Sequence, residues 1–182
     1  VAVGGQQFKD VLRLWASGVS VVTTPIPKGM RAITVSSVTS LSLDPPLVLI
    51  CIEKKAHAHA AIARARCFAI NILRDDQAAL SDQAAGRHRR QAARRVPAPA
   101  RRRALAGARR RRMVTGAPVL EDSLAWLDCR LAGRHDGGDH TIFIGRVEAA
   151  GASRGEPLLW FDRDYARLSR QVRRVRVRRG RG

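Results

Sequence analysis

Six hydroxyl side chains crowd into nine residues of "ITVSSVTSLSLDPPLVLIC" (residues 33–51): Thr34, Ser36, Ser37, Thr39, Ser40 and Ser42. Such a set can hold a ligand rich in oxygen and nitrogen, through side chains and adjacent backbone amides. It can also be a solvated loop whose hydroxyls bond their own backbone, and local chemistry alone favours that. His135, Asp136, Asp139 and His140 invite a metal, but most of them crowd a Gly-Gly turn and no Cys or Glu completes the set, so no metal is expected. His140 opens a strand, from which an imidazole can donate a hydrogen bond or a proton near neutral pH, or stand exposed at a hairpin base. His57 and His59, two apart on a predicted helix, face different ways and read as exposed polar positions. Asn71 stands among Phe68, Ile70, Ile72 and Leu73, so its amide needs partners in the backbone or in a cofactor. There is no GxGxxG opening a helix, no GxxxxGK[ST] and no GxSxG. If the chain is an enzyme, a cofactor carries the chemistry.

The elements that would position these residues follow from periodicity. Phe8, Val11, Leu12 and Trp15 make one apolar helix face, with Gly18 placed to stop it. Val19–Thr24 and Arg31–Ser37 read as a hairpin broken at Pro25-Ile26-Pro27-Lys28-Gly29. Leu47–Ile52 is a continuous apolar run, expected to be buried on both faces, with Pro45-Pro46 shaping its start. An Ala-rich helix over residues 56–65 leads to a strand over 67–73 and a polar helix over 75–84. Alternating apolar residues on either side of Asp136-Gly137-Gly138-Asp139 predict two long strands, and residues 157–161 a last short one. Strands dominate and helices flank them, so the economical architecture is a closed or nearly closed antiparallel barrel.

The 182 residues carry 34 basic and 15 acidic side chains, a formal charge of +19 and a pI of about 11.7. That looks like a nucleic-acid binder until the charge is located. Residues 87–112 hold 12 Arg and residues 170–182 hold 7, neither with an acid, and the remainder balances 15 against 15. Both tracts are low-complexity and are expected to form no packed structure. The 3 cysteines are far apart with no CxxC, which fits reduced, apolar side chains rather than a disulfide framework. No apolar run is long enough to span a bilayer and the start lacks a signal-peptide pattern, so a cytoplasmic protein without a membrane partner is expected.

Taken in order, "FKDVLRLWASGVSVVTT", "ITVSSVTSLSLDPPLVLICIEKK", "FAINIL", "GAPVLEDSLAWLDCRL", "GDHTIFIGRVEA" and "PLLWF" resemble the flavin reductase-like family, the small reductase components of two-component flavin monooxygenases. The likeness covers most of residues 8–86 and 116–165. It implies a mainly β fold, a split β-barrel (a Greek-key antiparallel barrel of FMN-binding type) with short flanking helices. It implies binding of FMN or FAD, reduction by NADH or NADPH, a homodimer, and a separate oxygenase that receives the reduced flavin. Carried over, Ile33, Thr34, Ser36 and Ser37 would line the flavin, with Cys51, Ile52 and Glu53 beside it. Lys54, His57 and Ala58 would approach its phosphate, Asn71 would support the pocket, and Gln83 and Ala84 would touch its rim. His140 would lie near the nicotinamide or the flavin edge as the catalytic residue. Ala32, Ala56 and Ala58 depart from the family's usual Gly, Ser or Thr.

Residues 1–168 are read as one domain and 169–182 as a basic disordered tail. Within the domain, 87–112 replaces the family's aromatic-containing loop with Arg, Ala and Pro, the composition a GC-rich gene yields in a shifted frame. Inspection of the alternative frames tests that reading. Two rival readings are a polyanion or nucleic-acid binder using its Arg tracts, and a flavin-binding protein without turnover.

Overall fold

The computed structural model describes residues 2–86, 105 and 108–169. Helix α1 (Gly5–Leu12) precedes the two-residue strand β1 (Ser17–Gly18). The amphipathic face of α1 is not packed into the core: none of its residues is buried, Phe8, Val11, Leu12 and, beyond the helix, Trp15 are exposed, and Phe8, Leu12 and Trp15 line a groove. Strands β2 (Ser20–Ile26) and β3 (Gly29–Val35) form the expected hairpin, turning at Pro27-Lys28. Pro25 and Ile26 belong to the strand, because β2 pairs with its other neighbour only as far as Thr23 and Pro25 lies where that ladder has ended.

The hydroxyl-rich stretch is not a single loop. Thr39–Leu43 forms β4, a bulged edge strand, and only Ser36, Ser37 and Val38 lie between strands. β5 (Pro46–Glu53) pairs with it across Asp44-Pro45, a cis peptide. The expectation that this apolar run is buried on both faces is corrected. Val48, Ile50 and Ile52 enter the core, whereas Leu47, Leu49 and Cys51 alternate with them and stay half-buried. Their face of the sheet is left uncovered as the wall of a groove.

Then come α2 (His57–Ala65), β6 (Cys67–Ile72) and α3 (Ala78–Ala84), the last shorter than predicted. β7 (Arg110–Arg112) pairs with β8 (Pro118–Leu120), which corrects the expectation of no packed structure at this end of the Arg-rich tract. The pairing needs only backbone: all three arginine side chains are exposed, and Arg111 lies 5.3 Å over the Trp126 ring. Residues 87–104, 106–107 and 170–182, on which the rest of that expectation falls, lie outside the described residues. β9 (Ala125–Gly137) and β10 (His140–Ala152) form the long hairpin, followed by β11 (Leu158–Phe161) and an unforeseen β12 (Asp164–Arg167).

The main sheet is antiparallel in the order β3-β2-β6-β9-β10-β5-β4, and no ladder joins its two edges. It nevertheless wraps one core. Val22 and Val35 from one end meet Val48, Ile50 and Ile52 from the other, around Phe68, Ile70 and Phe143, with Ile62 of α2 closing one mouth. Burial of these side chains, roughly 1.5–3 kcal/mol for each large one, is what curls the sheet. The β9–β10 hairpin depends on a glycine at close approach. A Cβ on Gly145 would stand 2.6 Å from the Phe68 ring and 2.8 Å from Cys129 Cβ. A second, three-stranded sheet, β1-β11-β12, lies beside it, and Val19, Val21, Leu73 and Leu158 form a cluster there with Trp160 and Tyr165 packed on it.

Candidate functional site

The open face of β5 makes the first groove, about 1120 Å³, where Ser36, Ser37 and Cys51 come together with Leu49, Ile72 and Trp160. Ser37 holds the wall. Its hydroxyl donates to the Cys51 carbonyl at 3.2 Å and accepts from the Cys51 amide at 3.0 Å, standing in for the strand partner that β4 no longer provides there. Leu49, Ile72 and Trp160 supply apolar surface for a flat ring, and the hydroxyls supply directional partners. The arginines at the rim are neutralised: Arg13 pairs with Asp162 at 3.5 Å and Arg163 with Asp10 at 2.9 Å. Asp10 is held below the usual carboxylate range, first by the Gln6 amide and then by Arg163.

A cavity of about 90 Å³ adjoins this groove, sharing Ser36 and Trp160 with it and adding Thr34, Ser81 and Tyr165. Thr34 donates to the Ser81 carbonyl at 2.6 Å and so ties β3 to α3. Ser81 Oγ is buried, 1% exposed, and has no hydrogen-bond partner among the described residues. A buried hydroxyl without a partner costs roughly 1–3 kcal/mol, which a polar ligand group or a water would relieve. An apolar floor, convergent hydroxyls and one orphan hydroxyl are a set that fits a flavin.

The second groove, about 900 Å³, gathers Lys54 and His57 with Lys55, Arg31, Arg64 and Arg112. Lys54 is pinned to Asp136, whose carboxyl it holds below the usual range by hydrogen bond and charge. Cys51 of the first groove and Lys54 of the second are three residues apart, at most about 10 Å along the chain, within the reach of a five-carbon chain ending in phosphate.

His140 and Glu53 are cross-strand partners one pair beyond Cys51 and Ile142 on the same sheet face, although neither lines these cavities. His140 Nδ1 lies 2.6 Å from Asp139 Oδ1, and this bond, followed by the imidazole's charge, holds the Asp139 carboxyl below its ordinary value. Other expected residues serve the scaffold. Ile52, Ala58 and Ala84 are buried, so their side chains point into the protein rather than into a groove. Ile33 packs against the main core. Asn71 is fully buried, donating to the Val21 carbonyl and Thr23 and accepting from the Leu120 amide at 2.8 Å. Gln83 accepts from the Leu105 amide at 3.1 Å. His59, expected to be exposed, is half-buried, bonded to Thr141 at 2.8 Å and set edge-on to Phe143.

Thr39, one of the six hydroxyls, also lines the first groove, whereas Leu49, Ile72 and Trp160 line it without having been singled out, and Ser81 the small cavity. The alternation of β5 could have revealed Leu49, but Trp160 arrives from a distant strand with no local signal. Burial pushes the Cys129 thiol up to about 12, so it is an inert core group. Among the described residues no group of three or more His, Cys, Asp or Glu side chains is placed to hold a metal, and no helix is long and apolar enough to cross a membrane.

Comparison with known proteins adds the family. A family model described as the flavin reductase like domain matches residues 12–169. The chain is 37% identical over 166 residues to a protein of Agrobacterium fabrum named FMN reductase (NADH) SmoA, covering 91% of this chain and 87% of that one. It is 37% identical over 155 residues to the reductase component of a 4-nitrophenol 4-monooxygenase/4-nitrocatechol 2-monooxygenase of Rhodococcus opacus, covering 85% and 76%. The solved structure of the Streptomyces globisporus C-1027 NADH:FAD oxidoreductase SgcE6 in complex with NAD and FAD fragments matches with a TM-score of 0.79 at 28% identity, over 94% of this chain and 99% of that one. A split barrel whose open strand face carries the hydroxyl-lined groove, matched by that model along nearly its whole length, belongs to the flavin reductase-like domain family.

Proposed function

We propose that this chain is a flavin reductase that uses a dihydronicotinamide nucleotide, NADH or NADPH, and passes reduced FMN or FAD to a separate oxygenase. The observation that carries this reading is the first groove, which offers stacking surface and hydroxyls but no nucleophile-base pair. Bound flavin supplies the hydride acceptor. The chain has to hold two flat rings at reacting distance and exclude water, which is positioning work rather than acid-base work. Leu49, Ile72 and Trp160 give the flat surface, and Ser36, Ser37 and Thr34 orient the ring's polar edge. Lys54 and His57 take the phosphate, and Gln83 braces α3 at the rim. His140, on the face of Cys51 and steadied by Asp139, stands at the nicotinamide edge.

A homodimer accords with the exposed Phe8, Val11, Leu12, Leu14 and Trp15 and with Leu43, 91% exposed on the edge strand β4. Three free cysteines accord with a reducing, cytoplasmic setting. The test is loss of nicotinamide absorbance in purified protein with NADH, with and without FMN or FAD. Oxidation that requires added flavin is expected, and its absence sinks the proposal.

A further inference from the structure

Trp160 brings the smaller sheet into the site: its ring lines both the first groove and the small cavity beside it. A stacking wall serves hydride transfer only if its ring is held at a fixed tilt, because the reaction depends on distance and angle. Backbone pairing does not fix that tilt. Trp160 pairs with Ser17 on one side and Tyr165 on the other, and both ladders leave the side chain its own rotamers. The Tyr165 side chain does more. Its ring meets the Trp160 ring edge-on, with centroids 5.1 Å apart and planes at 75°. Its hydroxyl donates to Asp82 Oδ1 of α3 at 2.7 Å, a hydrogen bond to a carboxylate between two half-buried side chains. The residue before Asp82, Ser81, accepts from the Thr34 hydroxyl of β3 through its carbonyl at 2.6 Å. Helix α3 is thus tied at two consecutive residues, to the main sheet by Thr34 and to the smaller sheet by Tyr165. No side chain caps the first turn of this 7-residue helix, so these ties decide where it sits. Thr34, Ser81, Trp160 and Tyr165 all line the small cavity, which lies between the two ties.

We propose that Tyr165 is a positioning residue of the flavin site: a strut from Asp82 to the Trp160 ring that holds the stacking wall and the α3 side of the cavity in one geometry. It acts through Trp160 and α3. The inference rests on the reading above that flavin occupies the first groove.

The test compares the native full chain with Tyr165→Phe, which keeps the ring and loses the donor, and with Asp82→Ala and Asp82→Asn, of which only the second keeps an acceptor oxygen. FMN affinity is read by fluorescence titration, hydride transfer by the single-turnover loss of nicotinamide absorbance, and stability by denaturant unfolding. Tyr165→Phe and Asp82→Ala should each weaken FMN binding roughly fivefold and slow the single turnover roughly tenfold, with the KM for NADH unchanged. Asp82→Asn should keep most of both. The double variant Tyr165→Phe/Asp82→Ala should lose no more than either single one, since one bond is removed in each case. If the variants only unfold at lower denaturant while FMN affinity and turnover stay native, or if Asp82→Asn behaves as Asp82→Ala, the strut is overturned even in an active reductase. FMN affinity weakened in the expected pattern, in a chain without flavin-dependent NADH oxidation, supports the strut and removes only the turnover reading. A native chain that binds no FMN overturns both.

Discussion

The two grooves lie at opposite ends of the same short run of chain and are built on opposite electrostatic plans. In the first, the rim arginines Arg13 and Arg163 are matched by Asp162 and Asp10, and apart from Gln6 and Lys9 what remains is mostly apolar surface with hydroxyls. In the second, only Lys54 of six basic groups has a carboxylate partner among the described residues, and small apolar side chains lie between them. The first is made by strand alternation, which sends Val48, Ile50 and Ile52 inward and Leu49 and Cys51 outward. The second is made by a helix flank, a hairpin turn and the segment after β7. One surface offers shape and the other charge, and β5 joins them.

The largest effect should come from removing that common support. Ile50→Ala empties a fully buried site and is expected to cost about 2–5 kcal/mol of stability, read by denaturant unfolding, while protein still folded keeps both ligand affinities. Cys51→Trp fills the first groove from its wall. The KM for flavin should rise by roughly tenfold or more while binding of inorganic phosphate in the second groove is unchanged, as expected of separate sites. Equal loss at both would mean that the grooves are one.

Ser37→Ala removes both bonds to the Cys51 backbone. About 1–2 kcal/mol of stability and a several-fold rise in flavin KM are expected, with faster hydrogen exchange at the Cys51 amide. The smallest change sharpens the contrast in charge. Asp136→Asn releases Lys54 into the second groove, and affinity for inorganic phosphate should rise by about twofold at low salt and less at high salt. Because Lys54 lowers the folded-state pKa of Asp136, the pair's stabilising effect is present above the unfolded carboxylate pKa of about 3.9 and is lost as pH falls through the lower folded value. Acid titration of the variant should lack that loss.

The long elements were legible because their signals are local: the β9–β10 hairpin from alternation about a Gly-Gly turn, β5 and β6 from short apolar runs, and α2 from its alanines. The short strands β1, β4, β7, β8 and β12 were not. Each is defined by the partner it lies against, and Arg110–Arg112 shows that three charged residues serve when backbone pairing is all that is needed. The site divides in the same way. Ser36, Ser37 and Cys51 were brought together only by the family resemblance, since local chemistry favoured a solvated loop, and the structure gathers them in one groove. Ile52, Ala58 and Ala84 lie beside groove residues in sequence, but alternation or a helix face turns their side chains into the core. Trp160 and Ser81 could be found only in three dimensions.

The strand order also fixes when the protein can fold. β5 and β6 are consecutive in the chain, yet β9 and β10 lie between them in the sheet. During synthesis the strands up to Ile72 therefore carry unpaired edges and bare apolar faces until Ala152 has been made. At 5–20 residues per second, that interval is about 4–16 s. The nascent chain is most vulnerable to aggregation in those seconds, and a ribosome-bound chaperone would have the most to do there.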